Sequence, residues 1–361
     1  MLENGYKEED IHIINTGDEF RKYIRTIIEF YKNINDTGKM QEMKNKKEIQ
    51  DIVNNKKYRD ALIKSYMDLS IEGKDLSNIE ISLANSLKEL KDIRGVIDEL
   101  IDGNIEELGK EINKEKRENK IWIIDSRLAF HNIPKSFSVR LICDPKIAGE
   151  RTFKRVETEK YNSIEEATKA REKRRTGEQE RYLKRYGVDL EDENNYNLVI
   201  DTSYANPKDI AETIINCLEK EQNNGYYGKK WVSPKTLLPL QQERETVNEL
   251  DNIIASIREN GYSPESKIEI VEVDGKKYII EGHHRNFASA YLGKTLVPID
   301  VLGKDDEEVA IYKGSTARER ADSLNKIILL GHEWLIGNDF SYNEVYPGIM
   351  QELDKKEKDE R

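Results

Sequence analysis

The chain has 361 residues, of which 36% are charged and 37% are hydrophobic, and its formal net charge is −11. This acidic balance argues against nucleic acid as a partner, and the two cysteines, Cys143 and Cys217, are too few for a disulfide scaffold or a four-thiolate zinc site. No apolar run approaches the roughly 20 residues of a membrane span, and the first residues lack the basic and apolar regions of a signal peptide. We therefore expect a cytoplasmic protein of two domains, without a membrane partner.

The first third of the chain is predicted to be one short strand followed by helices. The strand is Ile11–Ile14, and Thr16-Gly17-Asp18 forms the turn after it. Residues 22–116 contain no proline and are rich in lysine, glutamate, isoleucine and leucine, which favours helix. The apolar residues between Ile79 and Ile97 recur at helical spacing and predict one packed face.

Three later apolar runs predict buried strands of a parallel sheet, because helical sequence separates each run from the next. They are residues 121–124, 138–143 and 198–202. Polar residues stand at the carboxyl ends of these runs, and they are Asp125, Arg127, Asp144 and Asp201. Ligands of parallel sheets bind outside the carboxyl ends of the strands, so these residues are candidates for a site.

The sequence changes character after residues 222–225, Gln-Asn-Asn-Gly, which we interpret as a linker between domains 1–222 and 225–361. A helix is predicted at about Val247–Arg258, and strands at residues 267–273, 277–280 and 297–301. Asp274-Gly275 separates the first two strands and is a strong hairpin signal. The second domain is thus predicted to be a smaller α+β domain, and its C-terminal extension is predicted to be helical.

One segment is strongly basic within this acidic chain. Lys169 to Arg185 carries eight basic and three acidic residues. On pattern alone it is either a solvated helix with glutamate–arginine pairs or a lid whose guanidiniums close over phosphates. Arginine suits the second role because its planar fork binds phosphate oxygens bidentately.

Several stretches between Ile11 and Leu218 resemble cytidylate kinases, which are nucleoside-monophosphate kinases. Asp125-Ser126-Arg127-Leu128-Ala129 is similar to a strand end of that family, and Arg174-x3-Glu178-x2-Arg181 resembles its lid. Residues 186–189 and 195–203 fit its closing segment. Thr16-Gly17-Asp18-Glu19-Phe20-Arg21 is similar to the segment that holds the acceptor nucleotide.

The resemblance implies a three-layer α/β fold, with a parallel sheet like that of the P-loop kinases. It also implies a large helical insertion at about 40–118 and a lid at about 165–187. The acceptor would be bound by Thr16, Arg21, Asp125 and Arg127, and the catalytic lid residues would be Arg174, Glu178 and Arg181. The implied cofactor is Mg²⁺ with ATP or another nucleotide, and the implied partner is a nucleotide or a small phosphorylated ligand.

The phosphate loop G-x-x-x-x-G-K-[ST] of these kinases does not occur in this sequence. Its amides and lysine cradle the donor phosphates, so we expect either an N-terminally shortened kinase or a domain that keeps an acceptor site without a donor site. The hypotheses are therefore a phosphotransferase of the nucleoside-monophosphate kinase type and an inactive nucleotide-binding regulatory module.

A second motif, Gly282-His283-His284-Arg285, follows the strand ending at Glu281. Neighbouring histidines point apart, so we expect no metal site there. The alternatives are a surface turn and an anion site made from the amides after Gly282 and the charge of Arg285.

The surroundings of this motif, about Trp231 to Leu302, resemble the ParB/sulfiredoxin fold, whose members include nucleotide-binding partition proteins and free-serine kinases. The resemblance implies a second nucleotide or phosphate site at Gly282, His283, His284, Arg285, Gln241 and Glu281. The serine kinases have a catalytic carboxylate where this chain has Gln241, and Glu243 or Glu281 could replace it. A further hypothesis is therefore a small-molecule kinase built on the C-terminal domain.

Overall fold

The computed structural model describes residues 11–17, 93–114, 120–155, 161–225, 227–239, 247–262, 267–309 and 314–328, together with residues 22, 26, 42, 46 and 47. The chain divides into two compact units, Met1–Ser136 and Phe137–Arg361. Most of the helical region expected between 22 and 92, the end of the C-terminal extension, and Arg21 and Gln241 lie outside the described residues.

The first unit contains a pair of parallel strands. β1 is Ile11–Asn15 and β2 is Ile121–Asp125, and all five residues of each strand are in register. Helix α1 is Ile93–Lys114 and the short helix α2 is Ala129–Asn132. The predicted strands are thus confirmed, and each ends where the apolar run gives way to polar residues.

The second unit is built on a sheet of seven described strands in the order β3-β4-β5-β9-β7-β8-β6. The strands are β3 Val139–Ile142, β4 Leu198–Asp201, β5 Lys230–Val232, β6 Leu237–Pro239, β7 Ile268–Val273, β8 Lys276–Glu281 and β9 Val297–Lys304. The helices are α3 Pro145–Phe153, α4 Ile164–Tyr186, α5 Pro207–Gln222, α6 Val247–Asn260, α7 His283–Tyr291 and α8 Ala317–Ile328.

The α/β class and the mostly parallel sheet agree with the expectation from sequence. Of the six pairings in this sheet, four are parallel, and β5/β9 and β7/β8 are antiparallel. The β7/β8 hairpin turns at Asp274 and Gly275, which both have positive φ, 50° and 75°. Two positive φ values are what a two-residue hairpin turn requires.

The sheet continues across the expected linker. β4 pairs with β5 through Val199 and Lys230, so the strands on either side of residues 222–225 belong to one sheet. Leu198 and Ile200 share a buried cluster with Leu296, which lies just before β9. The predicted boundary therefore falls inside the second compact unit, and a domain division there stays a prediction.

Candidate functional site

The first unit brings two of the predicted site residues together. Asn15 at the end of β1 lies opposite Asp125 at the end of β2. Thr16, the next residue, donates its hydroxyl proton to the Asp125 carbonyl oxygen at 2.9 Å. The two residues Thr16 and Asp125, which were predicted to bind the acceptor nucleotide, therefore meet at the carboxyl edge of this strand pair.

Arg127 follows at the same edge and is exposed. The turn before it is fixed by a hydrogen bond of 3.3 Å from the Leu128 amide to the Ser126 hydroxyl oxygen. Leu128 itself is only 1% exposed, and this burial anchors the chain directly after the arginine. Arg127 is thus an exposed cation in an anchored turn, which suits capture of an anion.

A cavity of about 240 Å³ lies beside Thr16 in this unit. Its lining residues are Ile14, Thr16, Lys47, Ile101, Asn104, Ile105 and Leu108. Ile101 and Ile105 are buried, whereas Lys47 and Asn104 are exposed, so apolar side chains form the floor and polar ones stand at the solvent side. Sequence reasoning missed Lys47 and Asn104. The helical spacing of Ile101, Ile105 and Leu108 could have indicated Asn104, because Asn104 lies on the same helix face.

The predicted lid is a continuous helix, α4. Ser163 caps its start by accepting from the Glu166 amide, and Gly187, in the left-handed conformation, ends it. Arg174 is exposed, whereas Glu178 and Arg181 are partly buried. The Arg181 guanidinium lies 5.1 Å from the centre of the Tyr182 ring.

One side of α4 is tied to the loop that precedes β4. Arg175 pairs with Glu191 at 2.9 Å, and Glu191 also pairs with Arg140 of β3 at 2.6 Å. One turn after Arg175, the side-chain amide of Gln179 donates a hydrogen bond to the Asp189 carboxylate. Arg175 also pairs with Glu172 on its own helix, as in a solvated helix. Described contacts of α4 therefore include the expected glutamate–arginine pairs, and Arg174 is an exposed residue of the same helix.

The strand-end acids of the second unit hold loops in place. Asp144 accepts from the amides of Lys146 and Ile147 and so caps α3. Asp201 accepts from the Ser203 amide at 3.0 Å. These bonds use one oxygen of each carboxylate for the backbone, so we assign Asp144 and Asp201 a structural role.

The Gly282–Arg285 motif forms the start of α7. Gly282 is the N-cap residue at φ 97°, and no side chain caps the helix. His283 and His284 occupy its first turn and are partly buried. The Arg285 guanidinium donates to the Lys267 carbonyl oxygen at 3.1 Å, which ties it to the start of β7. The motif therefore marks the start of a helix.

Burial, together with a smaller effect of the neighbouring His284, lowers the pKa of His283 to about 4. This side chain is neutral at pH 7, so it can offer a hydrogen bond to an anion but no charge. An unperturbed histidine charges near pH 6.5, whereas His283 charges only near pH 4, so any strengthening of phosphate binding by its charge would need that lower pH. Glu281, at the end of β8, is exposed and lies opposite Glu269 of β7.

Comparison with known proteins bears on the first of these sites. Residues 35–204 match the model of the Cytidylate kinase-like family. This segment lies within the stretch that resembled cytidylate kinases, and it includes the β2 strand end, α4 and β4. The cytidylate kinase-like part of the resemblance is thus confirmed, whereas the ParB/sulfiredoxin-like part stays a prediction.

Individual relatives agree with this match. A cytidylate kinase of Sulfolobus acidocaldarius is 32% identical over 103 residues, which are 27% of this chain and 53% of that protein. A cytidylate kinase of Thermoplasma acidophilum is 39% identical over 57 residues, 16% of this chain and 30% of that protein. An S-adenosylmethionine-dependent nucleotide dehydratase of Lacinutrix mariniflava is 32% identical over 114 residues, 32% of this chain and 23% of that protein. The chain spans between about a quarter and about a half of the length of these relatives, and no solved structure matches it.

Two further observations concern membrane spans and metal-binding groups among the described residues. None of the described helices is long and apolar enough to cross a membrane. Within the same residues, no group of three or more histidine, cysteine, aspartate or glutamate side chains is placed to hold a metal ion.

Proposed function

We propose that this chain binds a nucleoside monophosphate at the carboxyl edge of β1 and β2 and acts in nucleotide-dependent phosphoryl transfer. The observation that carries the proposal is the meeting of Thr16 and Asp125 beside the cavity of about 240 Å³. The match of residues 35–204 to the cytidylate kinase-like family supports a nucleotide as the ligand. Cytidine monophosphate is the first candidate, because two relatives are cytidylate kinases.

The parts of the nucleotide fit different parts of this site. The apolar floor of Ile101 and Ile105 suits a base, and the exposed residue Arg127 suits the phosphate. Mg²⁺ is commonly held by one or two carboxylates together with substrate phosphates, and the exposed Asp125 carboxylate fits that need. The metal would neutralise phosphate charge, while the chain positions the acceptor.

Replacing Arg127 with alanine tests the acceptor site. We expect Arg127→Ala to weaken binding of CMP by roughly 1.5–3 kcal/mol, the worth of hydrogen bonds to a charged group. Isothermal titration calorimetry with CMP and AMP measures this. Lys110→Ala is the matched control, because Lys110 is an exposed cation of α1 that pairs with Glu106. Equal CMP binding by wild type and Arg127→Ala would rule out the assignment, and tighter binding of AMP than of CMP would displace the cytidylate proposal.

The alternative is a regulatory module that binds the nucleotide without turnover. A coupled assay with ATP, Mg²⁺ and CMP separates the two functions in the same preparation. The chain as printed has no phosphate loop for the donor, so we expect little turnover from it alone. Turnover at ~1–100 s⁻¹ would show that other residues supply the donor site.

We also propose a second phosphate site at the start of α7. Its support is the helix start that no side chain caps, whose first-turn amides belong to His283 and His284. Arg285 lies next to them and is held by the Lys267 carbonyl. A likeness to ParB/sulfiredoxin proteins, including their nucleotide-binding members, would account for this arrangement.

Replacing Arg285 with alanine tests that second site in the full chain. We expect ATP, ADP or CTP to raise the melting temperature of an Arg127→Ala background, and Arg285→Ala to abolish that increase. The Arg127→Ala background reduces the contribution of the first site, and Arg258→Ala, which removes an exposed cation of α6, is the control. A nucleotide-induced increase that survives Arg285→Ala would leave Gly282–Arg285 as a structural turn only.

A further inference from the structure

The Glu191 carboxylate is shared between two arginines that come from different elements of the second unit. One of its oxygens accepts from Arg140 of β3 at 2.6 Å, and the other accepts from Arg175 of α4 at 2.9 Å. Guanidinium groups bind phosphate oxygens with the same planar geometry as carboxylate oxygens. The Glu191 carboxylate therefore occupies an anion site that the chain itself builds.

Neither arginine depends on that carboxylate alone for its position. Arg140 also donates to the Glu191 backbone carbonyl oxygen at 2.7 Å, and its guanidinium lies 5.6 Å from the centre of the Tyr196 ring. Arg175 also pairs with Glu172, one turn earlier on α4, at 3.2 Å. Both cations would therefore keep their places if the Glu191 side chain turned away.

The backbone at Glu191 is likewise held without its side chain. The Glu191 amide donates to the Asp189 carboxylate at 2.8 Å, and that carboxylate also accepts from the side-chain amide of Gln179 on α4. The Leu190 amide donates to the oxygen of the same Gln179 side chain at 3.0 Å. Rotation of the Glu191 side chain thus requires no movement of the loop or of α4.

The exposure of the three charged side chains indicates which of them can exchange partners. Arg140 is 16% exposed, whereas Glu191 and Arg175 are 41% and 55% exposed. Water screens an exposed ion pair, so an incoming anion loses little free energy when it displaces the Glu191 carboxylate from Arg175. Arg140 is more buried, and its charge needs an anion beside it, whether that anion is Glu191 or a ligand.

We propose that Glu191 is an internal competitor that closes a phosphate-binding site formed by Arg140 and Arg175. A phosphate group that displaces the carboxylate would bind both guanidiniums and would join α4 to β3 in its place. The ligand is a phosphate-bearing anion, either free or part of a nucleotide, because a phosphate offers more charge and more oxygens than one carboxylate. The site belongs to the second unit and does not require CMP binding at the edge of β1 and β2.

Glu191→Gln tests the competition, because it keeps the shape of the side chain and removes its charge. We expect this variant to bind inorganic pyrophosphate about tenfold or more tightly than the wild type, the value of one charge-assisted hydrogen bond. Isothermal titration calorimetry on the full chain measures both dissociation constants. Glu172→Gln is the matched control, because it removes an equal charge beside Arg175 and leaves the shared carboxylate in place. An equal gain in Glu172→Gln would mean a general effect of net charge and would overturn the proposal.

Removing either arginine locates the bound anion. Arg175→Ala or Arg140→Ala, added to Glu191→Gln, should abolish the gain, and the exposed Arg175 serves if loss of the more buried Arg140 prevents folding. ADP in place of pyrophosphate separates the two sources, since a larger gain for ADP assigns a nucleotide and an equal gain assigns the free anion. If Glu191→Gln binds neither anion more tightly than the wild type, Glu191 is a permanent structural partner and the proposal fails. CMP binding is measured separately, so failure of the proposed function would leave this result standing.

Discussion

Gly282→Ala should lower the free energy of unfolding by roughly 2–4 kcal/mol. Gly282 has φ 97°, a conformation that side chains bearing a Cβ rarely adopt. An added Cβ would also lie 3.2 Å from the Ile268 Cα atom and 3.3 Å from its Cγ1 atom. Because the nearer atom belongs to the backbone of β7, relief requires the strand or the start of α7 to move.

A second glycine, Gly293, separates the cost of the positive φ from the cost of the contact with Ile268. Gly293 has φ 69°, and an added Cβ there meets nothing within 4 Å. Gly293→Ala should therefore carry only the conformational cost, about 1 kcal/mol. Urea unfolding of both variants at one pH measures the difference. Equal losses in the two variants would show that the approach to Ile268 contributes nothing.

The result also bears on how the Gly282–Arg285 motif is understood from sequence. The motif predicted a glycine that allows a close backbone approach, and the approach in the structure is to strand β7. Arg285 shows the same limit, because only the fold reveals that its guanidinium donates to the Lys267 carbonyl. Sequence located the turn and the helix start, but the partners are distant in sequence and no local pattern encodes them.

The strands show what local pattern does encode. Runs such as Ile121–Asp125 and Leu198–Asp201 were predictable because three or four apolar residues are followed at once by polar ones. Strands β5 and β6 have three residues each and were missed, since so short a segment carries no measurable periodicity. The pairing of β4 with β5 was missed with them, because the expected linker suggested that a domain ends there.

The residues of the candidate site also fall into those that sequence predicted and those that only the structure reveals. Thr16 and Asp125 were predicted from motifs, and the hydrogen bond between them joins residues 109 positions apart. Lys47 and Asn104 carry no motif, and the cavity that they line exists only once α1 packs beside the strand pair. Sequence therefore predicts residues whose type is characteristic of a chemical role. Residues that belong to the site only because of their position become evident from the packing.

Lys230→Ala is expected to lower the free energy of unfolding by roughly 2–4 kcal/mol. Lys230 lies on β5, its side chain is only 10% exposed, and its ammonium group pairs with Glu193 at 2.7 Å. Burial alone would raise the pKa of Glu193, but the hydrogen bond and charge of Lys230, helped by Lys304 and Arg140, hold it below its usual value. The substitution removes the largest of these attractions and leaves a half-buried carboxylate poorly compensated.

The control is an ion pair of similar type on the surface. Lys208 and Glu212 lie 3.6 Å apart on α5, and their side chains are 81% and 53% exposed. Lys208→Ala should change the free energy of unfolding by less than about 0.5 kcal/mol, because water screens such a pair. Chemical denaturation of both variants at pH 7 gives the comparison, and equal losses would contradict a buried role for Lys230.

The pH dependence identifies the charge as the cause. A carboxyl whose pKa is lower in the folded state contributes stability above its unfolded pKa, and this contribution is lost as pH falls through the folded value. The pKa of Glu193 is lowered in the wild type, so the difference between wild type and Lys230→Ala should be largest at pH 7 and shrink below about pH 4. A difference that stays constant across this range would instead mean that the aliphatic stem of Lys230, packed where β5 joins β4, accounts for the loss.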